Sequence, residues 1–310
     1  MRVSVVLCCY NGEKYIKEQL DSLKTQTRQP DEVLIIDDCS KDNTVKIVEE
    51  YIKSNDLKSW KMIRNGQNKG WKENFIVGMS QAQGEIVFPC DQDDIWNPSK
   101  IEKMSAILEK DEKVQLLAAN YTTYYEGEEY RKVSNLFTKT MKFDEQYHKI
   151  EAGTKALYIY RPGCVMAARK SLIDLAVHYK FPDYPHDALL WRTALFLDGL
   201  YLFNFSAIKF RRHSSNASDA VRHKRSDKLN DTVYYIKVAE YLKKMIKENG
   251  DQKEKQVLLD HIIRFMKLRK KFLETGKKTL FVKLCLKYRS YYMTNKALLG
   301  DLYLTLKTGE

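Results

Sequence analysis

Short apolar runs alternate with helical repeats over the first two thirds of the chain. Val3 to Cys9 reads as a buried strand, closed by the turn Tyr10-Asn11-Gly12. From about Glu13 to Thr25, Ile16, Leu20 and Leu23 recur at helical spacing. The run Val33-Leu34-Ile35-Ile36 predicts a second strand. Lys41-Asp42-Asn43-Thr44 then caps a helix carrying Val45, Val48 and Ile52. A third strand is expected at Trp60–Ile63 and a polar, glycine-bearing loop over 65–70. A helix with Phe75, Ile76 and Met79 on its apolar face follows over 71–82, then a fourth strand over 85–89. Val114–Ala119 and Tyr201–Phe210 predict further strands, and Leu189–Leu197 a helix. Residues 121–149, polar and tyrosine-rich, lack a clear period and are expected as a loop region over the site.

Strands alternating with helices at this spacing imply an α/β fold, a mostly parallel sheet flanked by helices with right-handed crossovers. Ligands of such sheets bind beyond the carboxyl ends of the strands. Two acidic clusters fall there, Asp37-Asp38 after the second strand and Asp91-Gln92-Asp93-Asp94 after the fourth, so the fold brings both to one rim. A GxGxxG turn after the first strand and a P-loop are both missing, so neither a nicotinamide dehydrogenase nor a P-loop kinase or ATPase is supported.

Charge divides the 310 residues in two. Residues 1–221 carry 31 basic and 31 acidic side chains, and residues 222–310 carry 22 and 10, so the formal excess of +12 lies wholly in the second part. A catalytic-type domain over 1–221 and a basic helical region over 222–310 are expected. Within 256–273, Leu258, Ile262, Phe265, Leu268 and Phe272 repeat at three or four, with Arg264, Lys267, Arg269, Lys270 and Lys271 between them. Such a stripe suits the buried face of a helical bundle. Basic, aromatic helices also suit an anionic membrane surface. No nucleic-acid motif accompanies the charge, so nucleic acid is not an expected partner.

The six cysteines form no CxxC pair and no metal-ligand spacing, which reads as reduced thiols in a cytoplasmic protein. Arg2 ahead of Val3–Cys9 mimics a signal peptide, but the apolar part is minimal and no small-residue cleavage site follows. No run approaches the roughly 18 apolar residues that cross a bilayer, so any membrane contact is expected to be peripheral, at the inner face of the cell membrane.

The stretch Cys90-Asp91-Gln92-Asp93-Asp94-Ile95-Trp96 puts three carboxylates within four residues. Like charges this close disfavour joint ionisation. A divalent cation with a preference for oxygen ligands, Mg²⁺ or Mn²⁺, relieves that cost. The other reading is an acidic turn that caps the following helix.

Several ordered motifs carry a family resemblance. Val3-Ser4-Val5-Val6 with Tyr10-Asn11-Gly12, then Ile36-Asp37-Asp38-Cys39-Ser40-Lys41-Asp42, then Asp91-Gln92-Asp93-Asp94, resemble the inverting family 2 glycosyltransferases of GT-A fold. The Cys90–Trp96 block further resembles their rhamnosyltransferase-like branch. The resemblance covers residues 1 to about 215. It implies a nucleoside-diphosphate sugar donor, dTDP-rhamnose or a UDP-hexose, and a bacterial surface glycan or lipid-linked oligosaccharide as acceptor. Carried over by residue, Tyr10 and Asp38 contact the base, with Asp37 the alternative, and Asn68 lies near the nucleoside. Asp93 holds Mg²⁺ or Mn²⁺, Asp91 the metal or the ribose, and Asp94 shares that role, while the cations and imidazole of Arg211-Arg212-His213, at a strand end, suit diphosphate charge or, through His213, a third metal contact. Asp187, in Pro185-His186-Asp187-Ala188, corresponds to the catalytic base, and a role for His186 is left open because the family commonly has Glu before this Asp. Arg161-Pro162-Gly163-Cys164 resembles the segment bordering the acceptor, and Arg211-Arg212-His213-Ser214-Ser215-Asn216 an element that closes over the donor. A nucleotidyltransferase would show a glycine- and arginine-rich signature near the N-terminus, absent here. A catalytically silent glycan- or membrane-binding protein on the same fold is the alternative, against which the joint presence of Asp91, Asp93 and Asp187 argues.

Overall fold

A computed structural model of the chain describes residues 1–127, 140–181, 183–213, 224–250 and 252–307. Its N-terminal strands are β1 (Val3–Cys9), β2 (Glu32–Asp37), β3 (Trp60–Arg64) and β4 (Ile86–Cys90). They are linked by α1 (Ile16–Lys24), α2 (Thr44–Ser54) and α3 (Trp71–Gln81). The four strands lie in the order β3-β2-β1-β4, all parallel, with Val5 beside Val33 on one side and Phe88 on the other. Every residue of β1 is buried, the mark of a strand covered on both faces. Ile16, Leu20 and Leu23 of α1 are also fully buried, so the helical spacing becomes the face turned to the sheet.

After β4 come β5 (Ile95–Trp96), α4 (Lys100–Lys110), β6 (Leu116–Tyr125), β7 (Tyr147–Lys149), β8 (Met166–Arg169), α5 (Lys170–His178), α6 (His186–Phe196) and β9 (Leu200–Arg212). The order continues β4-β8-β6-β9-β5. Here β8 runs antiparallel to both neighbours, β6 and β9 are parallel, and β5 and β7 pair antiparallel with β9. This second half is mixed, whereas the first is the parallel sheet that the alternation predicts. The loop expected over 121–149 is shorter than that span. Tyr121–Tyr125 continue β6 past a bulge at Asn120, and Tyr147–Lys149 form β7, because the long β9 offers backbone partners on both edges. Residues 128–139 of that region lie outside the described residues.

The chain divides into two compact units. The first holds β1–β9, α1–α5 and α6 up to Ala194. The second holds residues 151–158 and 195–197 with four helices, α7 (Arg225–Glu248), α8 (Lys253–Thr275), α9 (Lys278–Tyr288) and α10 (Asn295–Leu306). The expected boundary at 221/222 lies outside the described residues. Among them, no helix is long and apolar enough to cross a membrane.

Within the second unit α8 is the hub, packing on α7, α9 and α10. Its buried face is Leu259, Ile262, Phe265, Met266, Arg269, Phe272 and Leu273. The stripe is therefore a bundle face, turned slightly from the expected one: Leu258 and Leu268 are only half-buried. Arg269, expected among the solvated cations, sits inside it. Its Nε and Nη2 donate to Asp301 Oδ2 and Oδ1 at 2.6 and 2.9 Å, and Tyr292 Oη donates to the same carboxylate at 2.9 Å.

Candidate active site

The rim is assembled by backbone geometry at the strand ends. After β1 the chain turns through Asn11, whose φ of 48° lies in the left-handed region. Gln92 reaches across from the acidic motif to this turn: Tyr10 N donates to its Oε1 at 2.9 Å and its Nε2 donates to Tyr10 O at 3.1 Å. Gly12 makes room for that clip, since a Cβ there would lie 2.2 Å from Gln92 Oε1. The Tyr10 side chain stays exposed.

Asp37 and Asp38, at the end of β2, are both buried. Asp37 accepts from Ser40 N at 3.0 Å and from the Cys9 thiol at 3.8 Å. Asp38 accepts from Asn65 Nδ2 at 2.8 Å, Lys69 N at 2.9 Å and Gly70 N at 2.8 Å. Asp38 thus fixes the loop that leads into α3. Asn68 is exposed in that loop and accepts from Gly70 N at 3.0 Å, a turn-forming bond.

The acids after β4 take different positions. Asp91 is half-buried, and its pKa is pushed up to about 7, first by burial and then by the charge of Asp93, with Asp187 adding to it. Asp94 is 1% exposed. Its Oδ1 accepts from Arg211 N at 3.1 Å, its Oδ2 has no partner among the described residues, and burial raises its pKa well above the usual carboxylate range. Asp93 keeps contact with solvent, with 18% of its side chain exposed, and its Oδ2 lies 2.9 Å from His213 Nε2. Tyr15 packs on the His213 ring, centroids 4.6 Å apart.

Beneath these acids lies Lys100, the first residue of α4 and wholly buried. Its Nζ donates to Cys164 O at 2.7 Å and sits 3.1 Å from the centre of the Trp96 ring. Burial draws its pKa down to about 8, against the pull of the surrounding thiols and acids. Arg211, at the end of β9, is also buried. Its Nε donates to Asp93 O at 2.7 Å, Nη2 pairs with Glu18, and the guanidinium stacks over Tyr15 and Tyr124. Arg211 thus has a positioning role: it holds the acidic turn. Ser214, Ser215 and Asn216 lie outside the described residues.

Asp187 sits in the first turn of α6, where its Oδ1 accepts from Ala188 N at 2.6 Å. An acid is favoured there by the helix dipole. Its charge is near enough to raise the pKa of Asp91. His186, one residue earlier, is buried with neither ring nitrogen partnered among the described residues, and burial lowers its pKa. It stacks on Phe75 at 4.1 Å and meets Trp71 edge-on at 6.0 Å. A Cβ at Gly163 would lie 2.3 Å from His186 Nε2, so the glycine of the Arg161–Ala167 segment serves the ring that packs on it.

The structure thus gathers Asp91, Asp93, Asp94, Asp187 and His213 about the end of β4, with Tyr10 tied in through Gln92. Asp37, Asp38 and Asn68 form a second group beside β2. Cys8, buried in β1 between these strands, has its thiol pKa raised by burial first, with Asp91 and Asp38 both contributing, which puts the two groups on either side of one strand. Asp91 and Asp93 are carboxylates with solvent access, the oxygen ligands that a hard cation takes, and an ion bound there would favour the ionised form of Asp91 that burial disfavours. One atom each from Asp91, Asp94 and Cys164 also lie within 4.8 Å of one another. Cys164 does not suit Mg²⁺ or Mn²⁺, because its thiol is soft and burial keeps it protonated. Gln92, Lys100 and Glu18 build the site without having been assigned to it from sequence. Only Gln92 carried a signal, its place inside the acidic motif.

Comparison with known proteins identifies the family. The Glycosyl transferase family 2 profile matches residues 4–175. An uncharacterized glycosyltransferase of Haemophilus influenzae is 27% identical over 249 residues, 76% of this chain and 74% of that protein. Poly(ribitol-phosphate) beta-N-acetylglucosaminyltransferase TarS of Staphylococcus aureus is 38% identical over 112 residues, 36% of this chain but only 19% of TarS. The crystal structure of S. aureus TarS 1-349 in complex with UDP-GlcNAc covers 98% of this chain and 81% of its own, at 22% identity and a TM-score of 0.63, so the GT-A fold is shared. With its profile match spanning more than half of the chain, the protein belongs to glycosyl transferase family 2.

Proposed function

We propose that the protein transfers a sugar from a nucleoside-diphosphate sugar to a hydroxyl of a bacterial surface glycan or lipid-linked oligosaccharide, with inversion at the anomeric carbon. One observation carries the reading: Asp187 opens α6 next to His186, whose ring packs on Gly163, while the adjoining Cys164 lies within 4.8 Å of Asp91, so Asp187 falls beside the acids that end β4. An inverting displacement has this requirement, an acid set for the departing diphosphate and a separate carboxylate for the incoming alcohol. The name of TarS supports UDP-GlcNAc as the first donor to try, ahead of dTDP-rhamnose. A β product from that α-linked donor is what inversion gives.

Asp187 accepts the proton of the acceptor hydroxyl as that oxygen attacks the anomeric carbon. Asp91 and Asp93, with His213 beside them, would hold Mg²⁺ or Mn²⁺. When bound, such an ion supplies Lewis-acid stabilisation to the leaving diphosphate. Arg211 keeps the acidic turn in place through Asp93 O and Asp94, and Lys100 fixes Cys164 and Trp96 beside it. Tyr10, Asp37, Asp38 and Asn68 border the nucleoside side of the pocket. Asp187→Asn is expected to lower transfer, and metal-dependent donor hydrolysis, by about 10²–10⁴-fold while leaving donor binding intact. Unchanged turnover in that variant removes Asp187 from the mechanism. Donor or glycan binding with no turnover in the parent protein favours the catalytically silent alternative.

A further inference from the structure

The helical unit carries a groove that the transfer reaction does not use. Its volume is about 690 Å³, and Lys155, Lys287 and Arg289 line it together with Leu286 and the start of α10. Among the described residues, none of these three cations is paired with a carboxylate. Lys155 Nζ donates to Met293 O at 3.2 Å, and Arg289 Nε donates to Asn295 Oδ1 at 3.1 Å. These are neutral partners, so they leave the positive charge of the groove uncompensated. A concave site of this kind selects an anion, and the planar guanidinium favours phosphate.

A second feature lies at the same place. Leu286 is 80% exposed and Val282, one turn earlier on α9, is 52% exposed, while Leu284 on the opposite face is fully buried. The solvent face of α9 thus reads Val282, Lys283, Leu286, Lys287, an apolar pair with a lysine beside each. Apolar side chains grouped in solvent mark a surface that something covers. A soluble phosphate compound would account for the cations and not for the leucine. A bilayer accounts for both, since phosphate headgroups meet the cations and the apolar pair enters the acyl boundary.

We propose that the α9 face around Leu286, Lys287 and Arg289 is a docking site for an anionic lipid bilayer, with the groove taking a lipid phosphate. It goes beyond the transfer reaction and does not depend on it. The test is co-sedimentation of the full chain with vesicles of phosphatidylcholine alone or mixed with phosphatidylglycerol. The parent protein is expected to bind only the mixed vesicles. Lys287→Glu with Arg289→Glu is expected to weaken that binding by about tenfold or more. The charge-matched pair Lys267→Glu with Lys271→Glu, on exposed positions of α8 outside the groove, is expected to weaken it by less than about threefold. Leu286→Ser is expected to remove the binding that survives at high salt, where charge is screened. All of these positions are exposed, and unchanged melting temperatures verify that the variants fold. Three results overturn the proposal: no binding by the parent, equal losses in the two charge-matched pairs, or release from vesicles by millimolar inorganic phosphate.

Discussion

Among single residues, the acids of the rim show how far a motif can be read. Asp91, Asp93 and Asp94 are equivalent in sequence, and the fold makes them different: Asp94 is buried under the Arg211 amide, Asp93 meets His213 and solvent, and Asp91 lies between them under repulsion. No local pattern could rank them, because their partners come from β9 and α6, about a hundred residues on. His186 is a similar case. Sequence marked it as a departure, and only the structure shows its ring packed on Phe75 and Gly163. The state of Asp91 has a consequence for stability. Its folded pKa of about 7 exceeds the ordinary value of 3.8, so the folded state favours the protonated form. The metal-free protein therefore keeps this stabilisation below about pH 4 and loses it as pH rises through about 7. Asp91→Asn is expected to flatten that decline and to make the metal-free protein more stable at pH 8, on the order of 2 kcal/mol after allowance for solvent screening. Denaturant melts from pH 4 to 8 with chelator present check this. A steeper decline in the variant contradicts it.

Whole elements were most legible where apolar period and burial coincide. β1, β2, α1 and α3 lie within a few residues of their expected bounds, because each buries a face that its own sequence defines. The extension of β6, the strand β7 and the reversal of β8 were not legible, because they depend on pairing with β9 or on insertion between β4 and β6. The same holds for α8. Arg269 has the composition of a solvated cation and becomes a buried one because Asp301, on α10, meets it there. Removing one partner of such a pair leaves a buried charge without compensation. Arg269→Met alone is expected to cost about 3–5 kcal/mol, and the double variant Arg269→Met with Asp301→Leu to recover most of it. Urea unfolding of the single and double variants reads this directly, and equal losses in both contradict it.

The molecule as a whole joins a charge-balanced sheet unit to a strongly basic helical one, a division legible from the distribution of lysine and arginine. The sheet unit was legible as α/β because strand and helix signals alternate. Its family was legible through the ordered motifs that end the strands, where parallel sheets bind ligands. Lys100 was not, since a lysine that becomes buried looks like any surface residue in a single sequence. The central claim is that this rim binds a nucleoside-diphosphate sugar through a divalent ion, with Asp187 standing apart for the acceptor. The most direct measurement is the melting temperature of the full chain with UDP-GlcNAc or dTDP-rhamnose, with Mn²⁺ or with chelator, since a ligand bound only to the folded state raises it. The account predicts that one of these donors raises it only with Mn²⁺, that Asp93→Asn abolishes the rise and that Asp187→Asn keeps it. A rise of the same size in Asp93→Asn, or none with either donor, contradicts the account.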